Sequence, residues 1–185
     1  MNANYLTSAR QQFAYYQSVG EKTFAQLSDE QLFWQPNEAT NSIAIIVNHL
    51  HGNMLSRWTD FLTADGEKDW RERDEEFEDC IHTREILLAK WKEGWDCVFT
   101  ALDSITPDHY TTSVYIRNQA HTLAEAINRQ MNHYSYHIGQ IVQMAKIQQG
   151  EGFQSLTIPK GQSKDFNAKK FAKGKHGGHF SEDVK

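Results

Sequence analysis

Apolar residues recur at helical spacing in four long stretches of the chain. In the first, from about Tyr5 to Leu27, the residues Leu6, Phe13, Tyr16, Gly20, Phe24 and Leu27 share one helix face. Ser28 to Gln31 then reads as a capping box, and Pro36 limits that segment to a turn or two. The second stretch, about Ser42 to Thr63, carries the stripe Ile43, Ile46, Val47, Leu50, Met54, Trp58 and Phe61. Thr40, Asn41 or Ser42 caps its start, and Asp65-Gly66 ends it. The third, about Arg84 to Ser104, spaces Leu88, Trp91, Trp95, Val98, Leu102 and Ile105 as a bundle seam, closed by Pro107. The fourth opens on the capping box Thr122-Leu123-Ala124-Glu125 and runs to Gln149, with Gly150 as its stop. Its stripe is Leu123, Ile127, Tyr134, Ile138, Ile141 and Ala145.

Between the second and third stretches lies a densely charged connection, Glu67 to Asp79. It is long for a tight helix hairpin, so the helices it joins need not be simple antiparallel neighbours. Thr111 to Arg117 alternates weakly, as a short extended strap would. Four amphipathic helices without a convincing sheet predict an all-α fold, a four-helix bundle over residues 1–158. Residues 159–185 form a Gly- and Lys-rich tail. Phe153, Leu156, Ile158, Phe166 and Phe171 are its candidate anchors, with irregular packing expected to about Phe171 and loosening beyond.

A length of 185 residues suits a single domain. No run approaches the roughly 18 apolar residues of a membrane helix, and Met1 to Gly20 lacks the apolar core of a secretory signal. Two cysteines, Cys80 and Cys97, make no disulfide scaffold. A cytoplasmic protein with buried structural thiols is the expectation, with no membrane partner. Charge is unevenly placed: the net −5 divides into +4 over 159–185 and −9 over the preceding 158 residues. The acidic body argues against a nucleic-acid surface, and the basic tail is expected to lie on that body.

Candidate chemistry sits among nine histidines. His133 and His137 are four residues apart on the fourth helix, one turn apart on one face, so both imidazoles can reach one cation. Such pairs are also common as plain surface or core residues. The pair flanks the apolar stripe beside Ala126, Gln130 and Gln140 and should look into the bundle or its mouth. On the second helix His49 flanks the stripe, whereas His51 points to solvent or a partner. The polar track continues through Asn53, Ser56, Arg57 and Asp60, with Ser56 and Asp60 read as a solvated boundary. Three neutral imidazoles leave a cation's charge uncompensated, the pattern of a catalytic zinc-type site with an open position. Imidazole suits zinc, nickel, copper and iron alike.

The chain resembles the DinB/YfiT-like superfamily of metalloenzymes, and more closely a branch described only as a domain of unknown function. The residues carrying the likeness are Ile46 to Met54, Ser56 to Phe61, Asp65 to Lys68, Arg71 to Phe77, Ala126 to Gln130, His133 to Ile141, Leu156 to Ser163 and Phe166-Asn167. The resemblance implies a four-helix bundle of unusual helix order, often dimeric. It also implies a divalent metal on His49, His133 and His137. Characterised relatives include S-transferases and an isomerase that use low-molecular-weight thiols; others are described as hydrolases.

Two arginines are candidate anion clamps. Arg57 has the rival reading of an ion pair with Asp74, Glu75 or Glu76, and Arg129 that of a partner for Asp60. Asn53 and Gln140 would orient a ligand or bound water, or make ordinary polar contacts. His176 and His179 form an incidental terminal site. The expectation is thus an enzyme in which a divalent metal, zinc or nickel, activates a low-molecular-weight thiol or water against a small electrophilic substrate, in a homodimer. The alternatives are a non-catalytic metal-binding or stress-response scaffold and a metal-free interaction module.

Overall fold

A side-chain cap opens each long helix of the computed structural model, which describes residues 1–183. Asn2 accepts from Tyr5 N at the head of α1 (Ala3–Phe24). The Ser28–Gln31 box starts the short α2 (Asp29–Phe33). Ser42 accepts from Ile45 N to start α3 (Ile43–Trp58), and Thr83 from Ile86 N to start α4 (Arg84–Asp103). The expected capping box of Thr122 and Glu125 opens α5 (Leu123–Gln149). Each such cap satisfies an otherwise orphaned backbone N–H, typically about 1 kcal/mol of stability.

The helix faces meet in one core. Phe13 of α1, Trp58 of α3, Trp95 of α4 and Tyr134 of α5 form its centre. Phe13 lies edge-on to Trp58 at 5.8 Å and to Trp95 at 6.1 Å, and Tyr134 is 5.8 Å from Phe13. Trp58 Nε1 donates to the Tyr134 hydroxyl at 2.8 Å, so these two rings are buried with their polar atoms paired to each other. The whole predicted stripe of α5 is buried. Among the described residues, no helix is long and apolar enough to cross a membrane.

Several details depart from the sequence pattern. The second helix ends at Trp58 because Thr59 turns extended and Asp60 takes a left-handed φ of 50°. Phe61 stays in the core from the following turn. The inner face of α4 begins at Leu87, fully buried, while Leu88 is 40% exposed. Despite the long connection, α3 and α4 are close neighbours. Gly94 permits this approach: a Cβ there would lie 2.8 Å from Met54 Sδ.

The expected strap is the first strand of a hairpin, β1 (Ser113–Ile116) paired antiparallel with β2 (Gln119–Thr122). Arg117 and Asn118 form its two-residue turn at φ 55° and 60°, the positive values that a type I′ turn requires. Asp65 braces this turn, its carboxylate accepting from Arg117 N at 2.8 Å and Asn118 N at 2.7 Å. Gly66 N also donates to Tyr115 O at 2.8 Å. The hairpin is thereby tied to the charged connection, which itself makes a 3-10 turn over Asp74–Phe77.

The tail is more regular than expected. It forms α6 (Ser163–Ala172), which buries no residue and leaves Phe171 81% exposed. Phe153 and Leu156 do pack on the core, as anchors. Contact also resumes where loosening was expected: Phe180 meets Tyr15 of α1 at 5.0 Å. Positions 184 and 185 of the expected tail lie outside the described residues.

Candidate metal centre

α3 delivers His49, and α5 delivers His133 and His137 one turn apart. Their candidate ligand nitrogens all lie within 4.8 Å of one another. His133 Nε2 is 3.2 Å from His49 Nε2 and 3.1 Å from His137 Nε2. Tetrahedral ligands at about 2.0–2.1 Å from zinc are separated by about 3.3 Å, close to the two separations that His133 makes with its neighbours.

The opposite ring nitrogens fix the tautomers. His49 Nδ1 is 2.8 Å from Glu76 Oε2, and His137 Nδ1 is 2.8 Å from Gln140 Oε1. A carboxylate and an amide oxygen only accept, so both Nδ1 atoms carry the hydrogen and both Nε2 atoms present lone pairs. His133 Nε2 can donate at most one hydrogen, and two neighbouring Nε2 atoms face it. At least one buried lone pair therefore lacks a donor, an arrangement that a cation resolves. Burial first, then the neighbouring rings of His137 and His49 and the guanidinium charges, lowers the pKa of His133 to about 3. Burial and the nearby His49 lower that of His137 to about 4, against the bond to Gln140. Both rings are neutral at pH 7, as metal ligation requires.

Behind His49 stands a buried ionic network that the sequence reading did not identify. Burial pushes the Glu76 pKa up, but the bonds from His49 and Arg71 outweigh it and hold the carboxyl below its ordinary value. Arg71 grips Glu76 in bidentate fashion, Nε to Oε1 at 2.7 Å and Nη2 to Oε2 at 2.9 Å. Asn48 Nδ2 donates to the Glu76 carbonyl at 3.0 Å, fixing the backbone of the 3-10 turn to α3. Phe77 stacks on the His49 ring at 4.6 Å. Gly52 leaves room for this arrangement, since a Cβ there would lie 2.7 Å from Glu76 Cδ. That close approach explains a glycine inside a helix, where it costs about 1 kcal/mol against alanine.

Arg57 is buried and paired with the connection, but its partners are the Gly66 carbonyl and Glu67 (2.9 Å), not Asp74, Glu75 or Glu76. Arg129 does not contact Asp60 among the described residues; its Nη1 lies 3.4 Å from His121 Nε2. Gln140 orients His137 and donates to the Tyr136 hydroxyl at 3.2 Å. Asn53 is buried with its Oδ1 unpaired, as is Gln130 Oε1. Ser56 is not a solvated boundary residue: it is wholly buried, donating to Gly66 O at 2.7 Å and accepting from Lys68 N at 3.2 Å. Asp60 is exposed, as expected. His51 turns to α4, 2.8 Å from Glu93. Cys97 is half-buried, but Cys80 is exposed, contrary to the expectation of two buried thiols.

A cavity of about 280 Å³ opens beside the three histidines. Asn53 and Gln130 line it together with Phe77 and five arginines: Arg57, Arg71, Arg73, Arg117 and Arg129. The model of one protein family matches residues 1–162, most of the chain. The chain belongs to the DUF1572 family, described as a protein of unknown function. No curated protein and no solved structure matches it.

Proposed function

We propose that this protein is a metal-dependent enzyme in which α1, α3, α4 and α5 form a DinB/YfiT-like four-helix bundle. It would hold zinc or nickel on His49, His133 and His137. The convergence of three imidazole nitrogens within 4.8 Å, at the wall of a cavity, carries this reading. A divalent cation held there would lower the pKa of a thiol or a water at neutral pH.

The chain's own groups support that role. Glu76 and Gln140 aim the Nε2 lone pairs of His49 and His137 at the shared point, the outer-layer bonding that metal-ligating histidines generally need. Phe77 covers one face of His49 and keeps water from it. The cavity wall contains no serine, threonine, cysteine, lysine or carboxylate among the described residues. The reacting nucleophile is then supplied from outside the chain, as a low-molecular-weight thiol or as water, with a small electrophile as substrate. The cavity favours this reading over a scaffold that binds metal without turnover.

Elemental analysis of the freshly purified protein tests the ligand set. Near-stoichiometric divalent metal is expected in the wild type, with loss in His49→Ala, His133→Ala and His137→Ala. Metal content unchanged in His49→Ala would overturn the site. A screen of the loaded protein with thiols and electrophilic acceptors, and with hydrolysable esters and amides, tests the chemistry. Turnover that vanishes in the same variants is the expected result. Full metal with no turnover of either kind would favour the scaffold.

A further inference from the structure

The cavity beside the histidines is strongly cationic, and the cationic groups are of two kinds. Arg57 and Arg71 are buried and matched: Arg57 is bound to Glu67, and Arg71 to Glu67 and Glu76. The other three stand at the rim with little compensation. Among the described residues the Arg117 guanidinium pairs with one carboxylate, Glu67 at 3.1 Å, which both buried arginines already share. Arg73 lies 3.6 Å from Asp74, a fully solvated carboxylate. Arg129 has no carboxylate contact among the described residues. Five guanidinium groups thus face three carboxylates, none of which lines the cavity.

A second observation is independent of charge. Asn53 and Gln130 are 5% and 3% exposed, and both line the cavity. Asn53 Oδ1 and Gln130 Oε1 have no hydrogen-bond partner. An unpaired buried polar atom is costly, so each calls for a donor from whatever fills the space.

We propose that this cavity binds a small organic oxyanion, a carboxylate or a phosphate ester that also carries a hydroxyl, amine or amide hydrogen. This rests on the enzyme reading above and names its substrate class. Arg73, Arg117 and Arg129 hold the anionic group through charge-assisted bonds of the fork geometry that suits oxyanions. Asn53 and Gln130 accept the ligand's donor hydrogen and place its far end toward the three histidines. A volume of about 280 Å³ sits at the small end of ligand sites and takes a metabolite-sized molecule, not a polymer. The first 158 residues carry a net −9, so the five arginines of this cleft stand out against an otherwise acidic body.

The test is calorimetric titration of the full chain, as purified and after chelator treatment, with malate, glycerol 3-phosphate and neutral glycerol. Binding of malate or glycerol 3-phosphate, weakened by salt, is expected, with none for glycerol. The preferred anion identifies the oxyanion. Arg117→Gln and Arg129→Gln should each weaken binding about tenfold, which is about 1.4 kcal/mol. Arg10→Gln, which removes a surface pair with Asp103, should leave binding unchanged. Equal affinity in all these variants, equal affinity for glycerol, or no binding of either anion would overturn the inference. Anion binding by a protein that never holds metal would instead overturn the metal reading and leave the oxyanion site standing.

Discussion

The two walls of the site hold their histidines by different means. On the α3 wall His49 is 4% exposed and is locked through Nδ1 by Glu76, which is locked in turn by Arg71. On the α5 wall His133 and His137 are half-buried and rely on helix geometry, with Gln140 as one neutral support. A single rigid helix sets the His133–His137 spacing almost unaided, because residues four apart already share a face. Placing a third ring from another helix takes a dedicated network, and here that network is ionic and buried. The α3 wall should therefore link ligation to folding, and the α5 wall should separate them.

The strongest way to break this contrast is Glu76→Ala. It leaves Arg71 charged, buried and without its main partner, a change that typically destabilises by about 3–5 kcal/mol. Urea unfolding of the metal-free variant should show that loss, together with weaker metal binding. Unchanged stability would mean that the network is ornamental. Gln140→Ala should act on the other wall more gently. Its expected signature is metal affinity lower by about tenfold, the small end of the range for outer-layer partners, with the unfolding midpoint nearly unchanged. A competition titration against a chromophoric chelator reads it, and a large drop in stability would contradict the separation of roles.

The smallest effect is one of pH. His133 and His137 have folded pKa values lowered to about 3 and about 4, from 6.5. In the metal-free protein the unfolded chain therefore takes up protons first as pH falls below 6.5, and it is favoured. The stability these neutral rings provide is fully present above pH 6.5 and is lost as pH falls toward about 4 and then about 3. Urea midpoints at pH 7 and pH 5 should show the decline, and the double variant His133→Gln with His137→Gln should flatten it. Midpoints that coincide at the two pH values in the unaltered chain would contradict the assigned neutrality.

The same contrast explains what was legible in the sequence. The α5 histidines and the flank position of His49 follow from the 3.6-residue period, and the structure brings all three together. Glu76, Arg71 and Glu67 belong to an irregular connection with no period to read. Their burial is a tertiary fact: Glu76 is 7% exposed because α3 offers Gly52 and Asn48 beneath it. Arg117 was hidden for a related reason. Its hairpin turns on Arg-Asn in place of the usual Asn-Gly signal, and Asp65, far away in sequence, supplies the missing support. The exchange of Leu88 for Leu87 shows that a heptad seam fixes a helix more firmly than its first turn.

X-ray absorption at the zinc edge of the loaded protein tests the central claim most directly. The arrangement predicts nitrogen or oxygen ligands alone at about 2.0–2.1 Å, with the multiple-scattering pattern of three imidazoles, reduced to two in His49→Ala. Sulfur at about 2.3 Å, or a spectrum that His49→Ala leaves unchanged, would contradict it.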